Sequence, residues 1–177
     1  EEPSYLAYAG PDGRQLVEGL GVGALPAVTF FELVNVRMGD AGASALAAAL
    51  DRGALPRLKS LALDNAAIGD AALAALAPAL RRRPGLEGLF LCDNPFGDEG
   101  LAALVAPPPA GTPPPPAGGL KKLKVLDLGY TQVTDAGCAA LAAALDSGAL
   151  PALGSLNLLG IDASDEAQGA VYEAVGA

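Results

Sequence analysis

The sequence predicts an α/β solenoid: about five strand–helix units side by side on a right-handed course, a parallel sheet on the concave side, helices on the convex side. Three observations predict it. The spacing L-x-x-L-x-L-x(4)-I, set by Leu58, Leu61, Leu63 and Ile68, is met again by Val28, Phe31, Leu33, Met38 and by Leu86, Leu89, Leu91, Phe96. It returns at Leu123, Leu126, Leu128, Val133 and at Leu153, Leu156, Leu158, Ala163. The first residues of these units lie 30, 28, 37 and 30 positions apart, a period that marks a repeat architecture. Finally, an acid follows two residues after each unit's last apolar position, at Asp40, Asp70, Asp98, Asp135 and Asp165, so phase is kept to the residue.

Residues 1–24 are expected to form a degraded repeat or cap of this single domain. In "DGRQLVEGLGVGALP" Leu16 and Leu20 take the places of Leu46 and Leu50 in "GASALAAALDRGALP", the signature of a preceding helix. Residues 1–11 carry no such pattern and are expected to wrap the open end or lie loose. The repeats proper are assigned to 25–54, 55–85, 86–119, 120–149 and 150–177.

Within a unit, Leu61 and Leu63 share one face of an extended segment while Ala62 and Asp64 share the other, the two-residue period of a half-buried strand. A 3.6-residue pattern follows. Leu46 and Leu50, Leu76 and Leu80, Leu141 and Leu145, and Val171 and Val175 are spaced i, i+4 on one helical stripe. Gly42, Ala72, Gly100, Gly137 and Ala167 fill a flanking column where small side chains let helices approach. The repeated Asp, or the Gly, Thr or Ser before it, is expected to cap its own helix, with the carboxylate at the positive end of the macrodipole.

The 37-residue interval holds "VAPPPAGTPPPPAGG", residues 105–119, with seven prolines. Proline removes helix donors, so the preceding helix is expected to stop near Val105 and the insertion to run extended. No Arg or Lys sits within it to orient a ligand groove, which favours a tolerated insertion over a docking site for proline-binding modules. The last helix, 165–175, ends without an obvious polar cap, so the chain reads as a piece of a longer array or as an end covered by another subunit.

Composition narrows the function. The 177 residues carry a net charge of −9, which gives phosphate backbones and anionic lipid no electrostatic support and suits a basic protein surface. With no His, and with Cys92 and Cys138 at non-equivalent positions, neither a zinc site nor a histidine general base is available, and no cofactor, metal or catalysis is expected. No apolar run approaches the roughly 20 residues of a membrane helix. The chain begins at Glu1, which leaves open a removed leader. The compartment is therefore undetermined, with the cytoplasm slightly favoured.

The pattern "LxxLxLxxNxIGDxGxxALAxAL" resembles the ribonuclease-inhibitor-like leucine-rich repeats, and Leu86, Leu89, Leu91, Asn94, Phe96, Gly97, Asp98, Gly100, Leu101 and Leu104 match it almost throughout. The resemblance spans residues 25–175 and implies a protein-binding fold whose relatives include nuclease inhibitors, Ran-type GTPase activators, immune sensors and cytoskeletal adaptors. The ninth position departs from it. That column runs Val36, Ala66, Asn94, Thr131, Ile161, where the family carries Asn or Cys.

Strand residues facing away from the core define the candidate binding surface. The middle column runs Glu32, Ala62, Phe90, Asp127, Asn157, and the next runs Val34, Asp64, Cys92, Gly129, Leu159, with Asn35, Asn65, Asp93 and Tyr130 beside them. Phe90 and Tyr130 are expected to anchor a protein contact among these acids. Arg52, Arg57, Lys59, Arg81, Arg82, Arg83, Lys121, Lys122 and Lys124 gather where helices end, a rim that helix-dipole complementarity explains without nucleic acid. The expected function is a non-catalytic protein-interaction scaffold. The alternatives are an activator of a Ran-like small GTPase and a structural subunit of a large assembly.

Overall fold

A computed structural model describes residues 4–10, 13–106 and 119–176. Among these, strands and helices alternate: β1 (Ser4–Tyr8), α1 (Gly13–Glu18), β2 (Val28–Leu33), α2 (Gly39–Asp51), β3 (Ser60–Ala62) and α3 (Asp70–Arg81). They continue with β4 (Gly88–Phe90), α4 (Asp98–Val105), β5 (Val125–Asp127), α5 (Asp135–Asp146), β6 (Ser155–Asn157) and α6 (Asp165–Gly176). The strands form one parallel sheet in sequence order, and each helix packs on the next. Strands repeat every ~4.8 Å and packed helices every ~8–10 Å, so the array curves with the sheet on its inner side.

Register follows the leucine spacing. Phe31, Leu61, Leu89, Leu126 and Leu156 are direct cross-strand partners, and the first four are fully buried. Leu33, Leu63, Leu91, Leu128 and Leu158 form a second buried column. Leu46, Leu76, Leu80 and Leu141 close the core from the helix side. Each fully buried Leu contributes roughly 1.5–3 kcal/mol through removal of apolar surface from water, so stacking drives the fold.

Two expectations are corrected here. Residues 4–8, expected to wrap the end or lie loose, form β1, which pairs with β2 through Tyr5–Phe30, Leu6–Phe31 and Ala7–Glu32. With α1 it makes a sixth strand–helix pair. The leucine spacing does not reveal it because an end strand packs one flank only, and Leu6 and Tyr8 suffice for its half-buried core-facing side.

The expected cap forms at α6, where the Ser164 hydroxyl accepts from the Ala167 N–H at 3.2 Å, but at α2, α3, α4 and α5 no side-chain cap bond forms. Asp70 Oδ1 instead accepts from the N–H groups of Gly97 (2.9 Å) and Gly100 (2.7 Å) of the next unit. Asp98 accepts from the Thr134 N–H (2.8 Å) and hydroxyl (2.6 Å), and Asp135 from the Ser164 N–H (2.6 Å) and hydroxyl (3.0 Å). Each carboxylate thus holds the start of the following helix. This also explains the glycines of the small column at 100 and 137: a Cβ on Gly100 would stand 2.9 Å from Asp70 Oδ1, and one on Gly137 would collide with Asp98 Oδ1.

The basic rim is largely engaged in the fold. Arg83 donates to the carbonyls of Leu50, Ala54 (2.6 Å) and Leu55 (2.9 Å) at the end of the preceding helix. Arg81 reaches the Leu104 and Ala106 carbonyls of the following one, and Arg52 reaches Leu20 O at 2.9 Å. Arg82 pairs with Asp51 at 2.8 Å, and Lys124 with Glu87 at 2.7 Å. Helix α4 stops at Val105, as the proline run requires; most of the 105–119 insertion, residues 107–118, lies outside the described residues.

Candidate functional site

The inner sheet face is built column by column. Glu32, Ala62, Phe90, Asp127 and Asn157 are cross-strand partners in that order, which is the register expected for the middle column. Phe90 lies on this concave face, half-buried against Phe30 and not in the core. Val34, Asp64 and Cys92 are half-buried one step on, Gly129 is buried, and Leu159 is 61% exposed at the end of the row.

An aromatic row links Phe90 of the expected site on β4 to two rings outside it, on β2 and β1. Tyr5 stacks on Phe30 with ring centroids 5.0 Å apart, and Phe30 meets the edge of Phe90 at 6.2 Å. Phe30 and Phe90 are two strands apart, a gap that small residues between them permit. Ser60 and Ala62 occupy β3, and Gly88 lets the Phe90 ring lie low, since a Cβ there would stand 3.1 Å from the ring. Phe30 is two residues before Glu32 and so on the same face, a signal the sequence carried. Tyr5 had none without β1.

Tyr130 stands apart from this row. It has positive φ (52°), as do Asn35 (57°), Asn65 (49°), Asp93 (56°) and Gly160 (72°), the five equivalent positions at which each strand turns toward its helix. Asn, Asp and Gly tolerate that left-handed backbone best, so the column is first a turn device. Asn65 Nδ2 donates to Asn35 Oδ1 at 2.7 Å along it, and the Tyr130 ring covers Gly160. Tyr130, 54% exposed, thus lies outside the Tyr5–Phe30–Phe90 row that holds Phe90.

Acids border the rings. The Tyr5 hydroxyl donates to Glu32 Oε2, which raises the tyrosine pKa. Asp64 Oδ1 accepts from the Cys92 N–H at 2.8 Å; Asp127 Oδ1 accepts from the Gly129 N–H and Asn157 Nδ2, both at 2.9 Å. Asn157 Oδ1 in turn accepts from the Leu159 N–H at 3.0 Å. Burial raises the Asp64 carboxyl pKa, and repulsion from Asp127, Glu32 and Asp93 adds to it, against the Cys92 N–H bond.

The Cys92 thiol, pointed at Asp93 Oδ2 (3.4 Å), is pushed up to about 11 by burial, by that hydrogen bond and by the acids around it. It is a protonated thiol at neutral pH, poorly suited to nucleophilic chemistry. Cys138 is buried in the helix layer, as its place among Ala43, Leu73 and Leu101 predicts. Among the described residues, no group of three or more His, Cys, Asp or Glu side chains is placed to hold a metal ion, and no helix is long and apolar enough to cross a membrane.

The ninth-position column departs less than its composition suggests. Buried Asn94 accepts from the N–H groups of Ala66 and Ile68 (both 3.0 Å) and donates to the carbonyls of Leu63, Leu91 and Cys92, joining two turns. Thr131 donates to Leu128 O at 2.8 Å.

A family description, Leucine Rich repeat, matches residues 119–142, from the approach to β5 into α5. Among solved structures the chain is similar to Leiomodin-1 Actin-Binding Site 2, with TM-score 0.60 and 16% identity over 93% of this chain and 86% of that one. The fold is a leucine-rich-repeat solenoid. An internalin (inlF) from Listeria monocytogenes str. 4b F2365 is similar as well, with TM-score 0.50 and 17% identity over 95% of this chain and 45% of that one. No curated protein sequence matches the chain. At these identities the likeness of the leucine-rich-repeat solenoid to its neighbours is one of fold.

Proposed function

We propose that this chain is a non-catalytic protein-interaction scaffold of the ribonuclease-inhibitor-like type, binding a protein partner with a basic surface on its concave sheet. The single observation that carries the reading is the contiguous Tyr5, Phe30 and Phe90 row bordered by Glu32, Asp64 and Asp127 on the concave sheet. Aromatic residues enriched at a central patch are the usual anchors of protein contacts, and the acids select the sign of what arrives. One solved neighbour is named for an actin-binding site, which agrees with a role in protein binding.

Affinity capture from source-cell lysate tests it. A Phe30→Ser, Phe90→Ser double variant is expected to lose the captured partner, while a Ser44→Lys, Ala74→Lys variant on the exposed side of α2 and α3 retains it. Circular dichroism confirms that both remain folded. Retention by the first and loss by the second would place binding on the helix side and reject the concave reading.

A further inference from the structure

We infer that the partner segment seated on this face presents arginine, its guanidinium packed against the Phe30–Phe90 ring pair and directed at Glu32 and Asp64. This rests on the concave scaffold reading and specifies its chemistry. Three features converge. First, Tyr5 stacks on Phe30 and Phe30 meets Phe90 edge-on at 62°, a run of rings for which Ser60, Ala62 and Gly88 leave room between the strands. A planar, weakly hydrated guanidinium stacks on such a surface, whereas a compact ammonium keeps its water.

Second, the carboxylates lie to one side of the rings. Glu32 is the direct neighbour of Ala62 on β3, and Ala62 of Phe90 on β4, while Asp64 lies two residues beyond Ala62 in the turn that follows β3. An arginine on the rings therefore has two carboxylates along its edge, and a fork of N–H donors fits that arrangement. Third, the charge here is unbalanced. Asp64 is crowded by Asp127, Glu32 and Asp93, while Arg81, Arg82, Arg83 and Lys124 of the rim are turned to helix-end carbonyls, to Asp51 or to Glu87 on the far edge. Among the described residues of the six strands there is no Lys or Arg, and charge complementarity names the occupant.

Fluorescein-labelled nona-arginine and nona-lysine, titrated by anisotropy at about 0.15 M salt, separate this inference from general attraction to an acidic protein. Nona-arginine is expected to bind about fivefold tighter than nona-lysine, the margin a stacked guanidinium adds. Phe30→Leu with Phe90→Leu is expected to erase that preference. Glu32→Gln with Asp64→Asn should weaken nona-arginine about tenfold, while Glu166→Gln with Glu173→Gln on α6, which removes equal charge elsewhere, leaves it unchanged within about twofold. Equal affinity for the two peptides in the wild type, or a preference that survives loss of the rings, would overturn the inference. So would equal weakening by both charge variants. If those results appear while lysate capture still depends on Phe30 and Phe90, the scaffold reading stands and only the arginine is wrong.

Discussion

Asp64 shows how the face sets its own electrostatics. Its carboxyl is raised by burial and by three neighbouring acids, so the folded state disfavours its ionised form relative to the unfolded chain. At neutral pH the charge is carried at a cost, and that cost fades as pH falls through the raised pKa and both states become protonated. Asp64→Asn, which keeps an oxygen for the Cys92 N–H, is therefore expected to unfold at a higher urea concentration than wild type at pH 7. The difference should shrink steadily toward pH 4. A variant less stable than wild type at pH 7 would show that the hydrogen bond outweighs the repulsion. A bound cation would relieve the same strain, so the residue that weakens the free fold is the one expected to strengthen the complex.

At the scale of elements, the units are joined by side chains that reach out of their own repeat. Asp70, Asp98 and Asp135 hold the next helix start, Arg83 holds the previous helix end, and Asn94 ties the turn after β4 to the turn after β3. Asn94→Leu would strand the Ala66 and Ile68 N–H groups in a dry interior, at a cost of about 3 kcal/mol. A urea melt should show that loss, and hydrogen exchange should rise first at residues 63–68 and 91–94. A loss near zero would mean that backbone pairing alone holds these turns. Much of this level was legible in advance. Leu61, Leu63 and Ile68 announce strand, core and turn by spacing alone, because a period of two followed by one of 3.6 has few physical readings. The direction in which Asp70 reaches was not legible, since spacing places a carboxylate at a helix start without saying whose start. Tyr5 was invisible for a related reason: an end strand buries too little to leave a leucine signature, and its ring matters only once the register sets it against Phe30.

On the scale of the whole molecule, the solenoid separates its charges and its chemistry by surface. The helix-end edge carries the basic side chains that satisfy carbonyls, the helix-start edge carries the aspartates that satisfy N–H groups, and the concave sheet between them carries rings and acids with less structural work to do. A residue such as Arg83, whose guanidinium is committed to three carbonyls, has little left for a partner, whereas Phe30 and Phe90 satisfy no hydrogen bond and fill no core. That contrast is the reason for proposing the sheet as the binding face. The most direct measurement replaces Phe90, and separately Ala74 on the exposed side of α3, with a photo-crosslinking phenylalanine in source-cell lysate. The account predicts a discrete protein adduct from position 90 that disappears in the Glu32→Gln, Asp64→Asn background, and none from position 74. Adducts from position 74 with none from position 90 would contradict it.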